Sequence, residues 1–96
     1  YILGIEAVEG TDKLIKRVIV EKKILKLDKA EGFLIKLPKK NQIDSIDPPV
    51  IGPNTIHLAS KCNLNGIAIN KAKTVVFNTD KVVKLLKEKK LKMYFI

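Results

Sequence analysis

Ile5-Glu6-Ala7-Val8-Glu9-Gly10-Thr11-Asp12, running on into Lys13-Leu14-Ile15-Lys16-Arg17-Val18-Ile19, is the stretch on which the reading of this chain turns. Apolar and β-branched positions from Tyr1 to Val8, broken by Gly4 and Glu6, predict a strand that ends in a turn at Glu9, Gly10 and Thr11. Thr11 suits a helix N-cap and Asp12 complements the dipole of a first turn. Leu14, Ile15, Val18 and Ile19 then recur at helical spacing. Lys13, Lys16, Lys22 and Lys23 are assigned to the wet face of that helix. A strand handing over directly to a helix points to an α/β fold.

Working outward, residues 32–37 read as a second strand, nearly all apolar apart from Lys36, as expected where both faces are covered. Residues 38–49 form a polar loop too long for a tight connection, and so a candidate functional loop. Gly52 and Pro53 mark a helix start, with Ile56, Ala59 and Cys62 as its buried stripe and Asn65 and Gly66 as its stop. Residues 66–70 and 74–77 read as two strands joined in a hairpin. Asn78 or Thr79 caps a third helix with Val82, Val83, Leu85 and Leu86 inward, and residues 92–96 alternate into a last strand. The order β-α-β-α-β-β-α-β predicts a single α/β domain over residues 1–96, a mixed β-sheet flanked by helices.

Composition narrows the function. Ninety-six residues support one core, and 46% hydrophobic with 30% charged residues excludes a disordered tail. No apolar run approaches the roughly 20 residues of a spanning helix. The single cysteine, Cys62, forms neither an internal disulfide nor a thiolate metal cluster, so a cytoplasmic setting is expected. The chain opens on an apolar strand without an initiating methionine or targeting pattern, so Tyr1 is expected to be an internal position of a longer chain.

A formal charge of +9 attracts phosphates, nucleic acid or anionic lipid. Arg17 is the only arginine, and lysine supplies point charge without the fork that reads bases. With no Trp and few other aromatics to stack on bases, nucleic acid is not the expected partner. The lysine face of the third helix is a solvated face that would also rest against anionic headgroups.

Two clusters carry the chemistry. Glu6, Glu9, Gly10, Thr11 and Asp12 stand where a strand end meets a helix N-terminus. There backbone N–H groups can meet a phosphate and carboxylates can hold a hard divalent cation; ordinary helix capping is the alternative. Lys36, Lys39, Lys40, Gln42, Asp44 and Asp47 suit neutralisation of a diphosphate, with a loop aspartate to coordinate a metal or orient water; a solvated loop is the alternative. His57 has no partner at metal-binding spacing, and Ser60 and Cys62 have no companion base.

Ile5 to Asp12, then Gly32-Phe33-Leu34-Ile35-Lys36, Lys39 with Gln42, Asp47, Pro49, Ile51-Gly52-Pro53 with Thr55, and Gly66-Ile67-Ala68 together resemble the C-terminal domain of the LpxI-type UDP-2,3-diacylglucosamine pyrophosphatases. The resemblance covers nearly the whole chain. It implies an enzyme of lipid A biosynthesis in a Gram-negative bacterium, hydrolysing UDP-2,3-diacylglucosamine to UMP and 2,3-diacylglucosamine 1-phosphate (lipid X) with a divalent metal, usually Mg2+. It further implies an N-terminal Rossmann-like domain, a location in the cytoplasm or peripherally on the inner membrane, and compatibility with a homodimer.

By the same resemblance Lys36, Asp44 and Asp47 are the expected catalytic residues. Glu9, Gly10, Thr11, Asp12, Lys39, Gln42 and Thr55 are the expected substrate-binding residues. The family loop reads K-P-x-Q-D-x-R-x-D-x-P, whereas Ile43 and Ser45 stand here at the first aspartate and the arginine. Either Asp44 substitutes from one position on, or turnover is impaired. A non-catalytic domain of the same fold that binds a nucleotide-sugar or phospholipid is the first alternative, and a basic nucleic-acid or membrane-surface module the second.

Overall fold

A computed structural model of the chain describes residues 2–6, 9–37, 49–70 and 72–96. Its elements run α1 (Thr11–Ile24), β1 (Phe33–Lys36), β2 (Val50–Ile51), α2 (Pro53–Lys61), β3 (Gly66–Ile69), β4 (Val75–Val76), α3 (Thr79–Lys89) and β5 (Lys92–Phe95). The α/β class is as the sequence implies, and the described ladders are parallel.

β3 is the central strand of a three-stranded sheet in the order β1-β3-β5, while β2 and β4 pair in a separate two-stranded sheet. The expected hairpin is therefore absent: β3 and β4 are consecutive but belong to different sheets. Gly66, Ile67 and Ile69 of β3 are buried, and such a strand gains most from neighbours on both sides, which the α2 and α3 crossovers deliver. The expected opening strand is also absent over residues 2–6, which lie on α1 instead. Gly4 sits so close to Leu14 and Val18 that a Cβ there would come within 2.9 Å of each.

Register neighbours of a parallel ladder share a face, so Leu34, Ile67 and Met93 point the same way. They meet the core of Ile51, Ile56, Ala59, Val82 and Leu91 brought by β2, α2 and α3. α1 joins through Ile15, which packs with Leu58 and Cys62. On the other face Phe33 and Ile35 are 53% and 63% exposed. β1 is thus covered on one side only, contrary to the expectation from its apolar run, because the helices that reach the sheet pack on a single face. Phe33 and Tyr94 meet edge to face at 5.7 Å on the open side, across Gly66, where a Cβ would lie 2.6 Å from the Lys92 carbonyl oxygen.

Two residues assigned to helix faces change sides. Lys22 is only 2% exposed, its ammonium donating to the carbonyls of Ala30 and Cys62; it lies one heptad on from Ile15, on the buried stripe. Val83 is exposed, while Val82, Leu85 and Leu86 pack inward as expected. Among the described residues no helix is long and apolar enough to cross a membrane.

Candidate functional site

The starts of α1 and α2 are tied together by one carboxylate. Asp12 accepts from Thr55 Oγ1 and from Asn54 Nδ2, each at 2.8 Å. The N-caps are Gly10 and Gly52, neither with a side chain to cap the first turn. Thr11 is therefore not the N-cap expected of it. Gly10 takes that place with φ +86°, a conformation that favours glycine, and Thr11 becomes the first helical residue. Two helix N-termini, each carrying the positive end of a dipole, thus lie side by side.

Lys36 enters from the C-terminal end of β1. Its ammonium donates to Thr11 Oγ1, and Thr11 Oγ1 donates to Glu6 Oε2 at 2.9 Å. The Glu6 carboxylate is itself 3.8 Å from the ammonium. These three polar side chains share a cleft of about 320 Å³ with apolar walls that include Leu14, Leu34 and Leu37. Lys36 explains its own place on an apolar strand: it stands on the covered face, in register with Ile69, and reaches the polar start of α1.

Of the residues the sequence proposes, Lys36 meets Thr11 at the cleft and Thr55 meets Asp12 at the neighbouring position of α1, with Gly10 as the cap of that helix. Glu9 lies beside them but turns to Arg17, its Oε1 accepting from the guanidinium at 2.7 Å. Lys39, Gln42, Asp44 and Asp47 lie outside the described residues, as do Lys40, Ile43 and Ser45. The segment that carries them leaves at Leu37, on the cleft wall, and the chain resumes at Pro49, three residues before the α2 cap.

Asn54 and Arg17 are participants that the sequence reading leaves out, while Glu6, which it places in the first cluster as a possible cation ligand, instead accepts from Thr11. Arg17 fastens residues 5 and 9 to α1, donating also to the Ile5 carbonyl at 3.1 Å. Their partners are five to 42 residues away in sequence, and no short motif marks such pairs.

Among the described residues no group of three His, Cys, Asp or Glu side chains converges as a metal site. Glu6, Glu9 and Asp12 each already accept a hydrogen bond from a protein donor. Burial pushes the Cys62 thiol up, with the Lys22 ammonium opposing, so it is not an activated nucleophile.

The family model of the LpxI C-terminal domain matches residues 1–94. The chain is also similar to the UDP-2,3-diacylglucosamine pyrophosphatase LpxI of Caulobacter vibrioides, with 33% identity over 84 residues. That alignment takes in 85% of this chain and 30% of the relative, so the chain spans about a third of the length of the curated protein it matches.

Proposed function

This chain belongs to the LpxI C-terminal domain family, and on that premise we propose that it forms the diphosphate-gripping part of a hydrolase of lipid A biosynthesis. The substrate is UDP-2,3-diacylglucosamine, cleaved by water to UMP and 2,3-diacylglucosamine 1-phosphate. The observation that carries this reading is the meeting of Lys36 with Thr11 at the start of α1, in a cleft whose remaining walls are largely apolar, with the start of α2 tied to that helix start through Asp12. An amphiphile with an anionic head is the ligand that such a cleft suits.

Hydrolysis requires that the diphosphate oxygens be neutralised, that water be aligned and that the departing phosphate be stabilised. The Lys36 ammonium supplies a fixed charge, and the uncapped first turns of α1 and α2 supply oriented N–H dipoles. Asp12 and Thr55 hold those turns in place. Asp44 and Asp47 are assigned to water activation or metal binding, with Lys39 and Gln42 on the phosphates. A divalent cation, Mg2+ in this reading, neutralises charge on the phosphate oxygens when bound. Glu6, Glu9 and Asp12 already accept hydrogen bonds from protein donors, so its donors are assigned to Asp44 and Asp47.

A Rossmann-like N-terminal domain completes the substrate cleft, and the protein works in the cytoplasm, resting peripherally on the inner membrane where its lipid substrate lies. The test is release of UMP from UDP-2,3-diacylglucosamine by the intact protein, with and without chelator. Turnover that chelator abolishes and Mg2+ restores supports the enzyme. Binding of the lipid without release of UMP supports the non-catalytic alternative that Ile43 and Ser45 motivate.

A further inference from the structure

Lys36, the cation that the proposed function brings to a diphosphate, already has an oxyanion near it. Its ammonium donates to Thr11 Oγ1, that hydroxyl donates to Glu6 Oε2 at 2.9 Å, and the same carboxylate oxygen lies 3.8 Å from the ammonium. A carboxylate and a phosphate are acceptors of the same kind for ammonium and hydroxyl donors. A phosphate oxygen approaching Lys36 and Thr11 therefore meets a like charge held by the donors it needs, and like charges at that range oppose each other.

The two partners of the pair are not held alike. The Lys36 side chain is 13% exposed and anchored in a ladder, while that of Glu6 is 33% exposed and comes from residues 2–6, which have no strand partner. Arg17 fastens the backbone on both sides of Glu6, through the Ile5 carbonyl and the Glu9 carboxylate, and Gly4 lies against α1, so the backbone can stay in place while the Glu6 side chain keeps or releases its own bond to Thr11. The carboxylate is the more exposed partner and the more readily returned to water.

We propose that Glu6 is a built-in stand-in for a phosphate oxygen: it occupies the anion position at Lys36 and Thr11 and gives way when a diphosphate takes its place. The inference rests on the proposed function for the identity of the diphosphate. It makes Glu6 a specificity residue. A ligand must carry enough charge to displace a carboxylate, so a diphosphate enters where an uncharged sugar does not.

The probe is inorganic pyrophosphate, titrated calorimetrically into the intact protein in magnesium-free buffer. Glu6→Gln keeps an acceptor for Thr11 but removes the charge, and is expected to bind pyrophosphate roughly tenfold tighter than the parent, the scale of one like charge removed beside a bound anion. The gain is expected to vanish in the Glu6→Gln, Lys36→Ala double variant. Equal or weaker binding by Glu6→Gln, with an unchanged circular dichroism spectrum, overturns the proposal. If that variant does not fold, Glu6→Asp carries the test: its shorter carboxylate retreats from Thr11 and is expected to bind pyrophosphate more tightly than the parent, and unchanged affinity overturns the proposal. UMP release measured on the same proteins separates the two ideas. Hydrolysis by the parent without an affinity gain in either variant contradicts the stand-in alone, whereas the gain without hydrolysis contradicts the enzymatic reading alone.

Discussion

Asp12 has both carboxylate oxygens engaged, one by Thr55 and one by Asn54, so it acts as the pin between two helix starts. Thr55 is only 4% exposed, and without Asp12 its hydroxyl loses its acceptor. Asp12→Ala is expected to lower stability by about 1–3 kcal/mol, the cost of an unsatisfied buried polar group, read as a fall in the thermal midpoint. Lys36→Ala is expected to behave oppositely. Thr11 keeps its bond to Glu6, so the midpoint moves little, while UMP release by the intact protein falls on the order of 10²-fold, as for loss of one preorganised electrostatic contact. Cys62 gives a pH signature. Its thiol is raised in the folded state, chiefly by burial, so its contribution to stability is fully present below the unfolded thiol value and lost as pH rises through the folded one. Cys62→Ala should flatten the alkaline fall in stability measured by denaturant titration; an unchanged slope would sink the assignment.

At the scale of elements, Gly66 bears the closest constraint. A Cβ there would meet the Lys92 carbonyl at 2.6 Å and the Tyr94 ring at 3.0 Å, and the carbonyl belongs to the neighbouring strand. Gly66→Ala should push β5 from β3 and cost on the order of 1–3 kcal/mol, seen as a lower denaturation midpoint with tyrosine fluorescence altered at Tyr94. The helices are legible in the sequence because their apolar period and the Gly52-Pro53 start agree with the packing, although the cap of α1 falls on Gly10 and not on Thr11. The strands are less so. Val75 and Val76 follow β3 closely enough to suggest a hairpin, yet they pair with Val50 and Ile51, and such long-range parallel pairing leaves no mark on local sequence. Ile2 to Glu6 has the composition of a strand, but its backbone lies on α1 through Gly4 and Arg17. Lys22 looked wet because a charge was assumed to face water, although its spacing from Ile15 put it on the buried stripe where two carbonyls receive it.

Over the whole molecule, the fold brings the start of α1 and the end of β1 to one cleft and ties the start of α2 to that helix start through Asp12 and Thr55. From the residues alone Gly10, Thr11 and Asp12 form one cluster and Lys36 belongs to another, and only the family resemblance joins them with Thr55; the contacts of Lys36 with Thr11 and of Thr55 with Asp12 bring them near one another. Glu6 reads from the sequence as a cation ligand or a solvent-facing strand residue, and its bond to Thr11, beside Lys36, fits neither. The charge of +9 is consistent with an anionic ligand but does not locate it. Backbone amide NMR shifts of the intact protein on titration with 2,3-diacylglucosamine 1-phosphate test the location of the site most directly. The largest changes are expected at Gly10, Thr11, Asp12, Lys36 and the first turn of α2; changes confined to the lysine face of α3, with those amides still, would contradict that location.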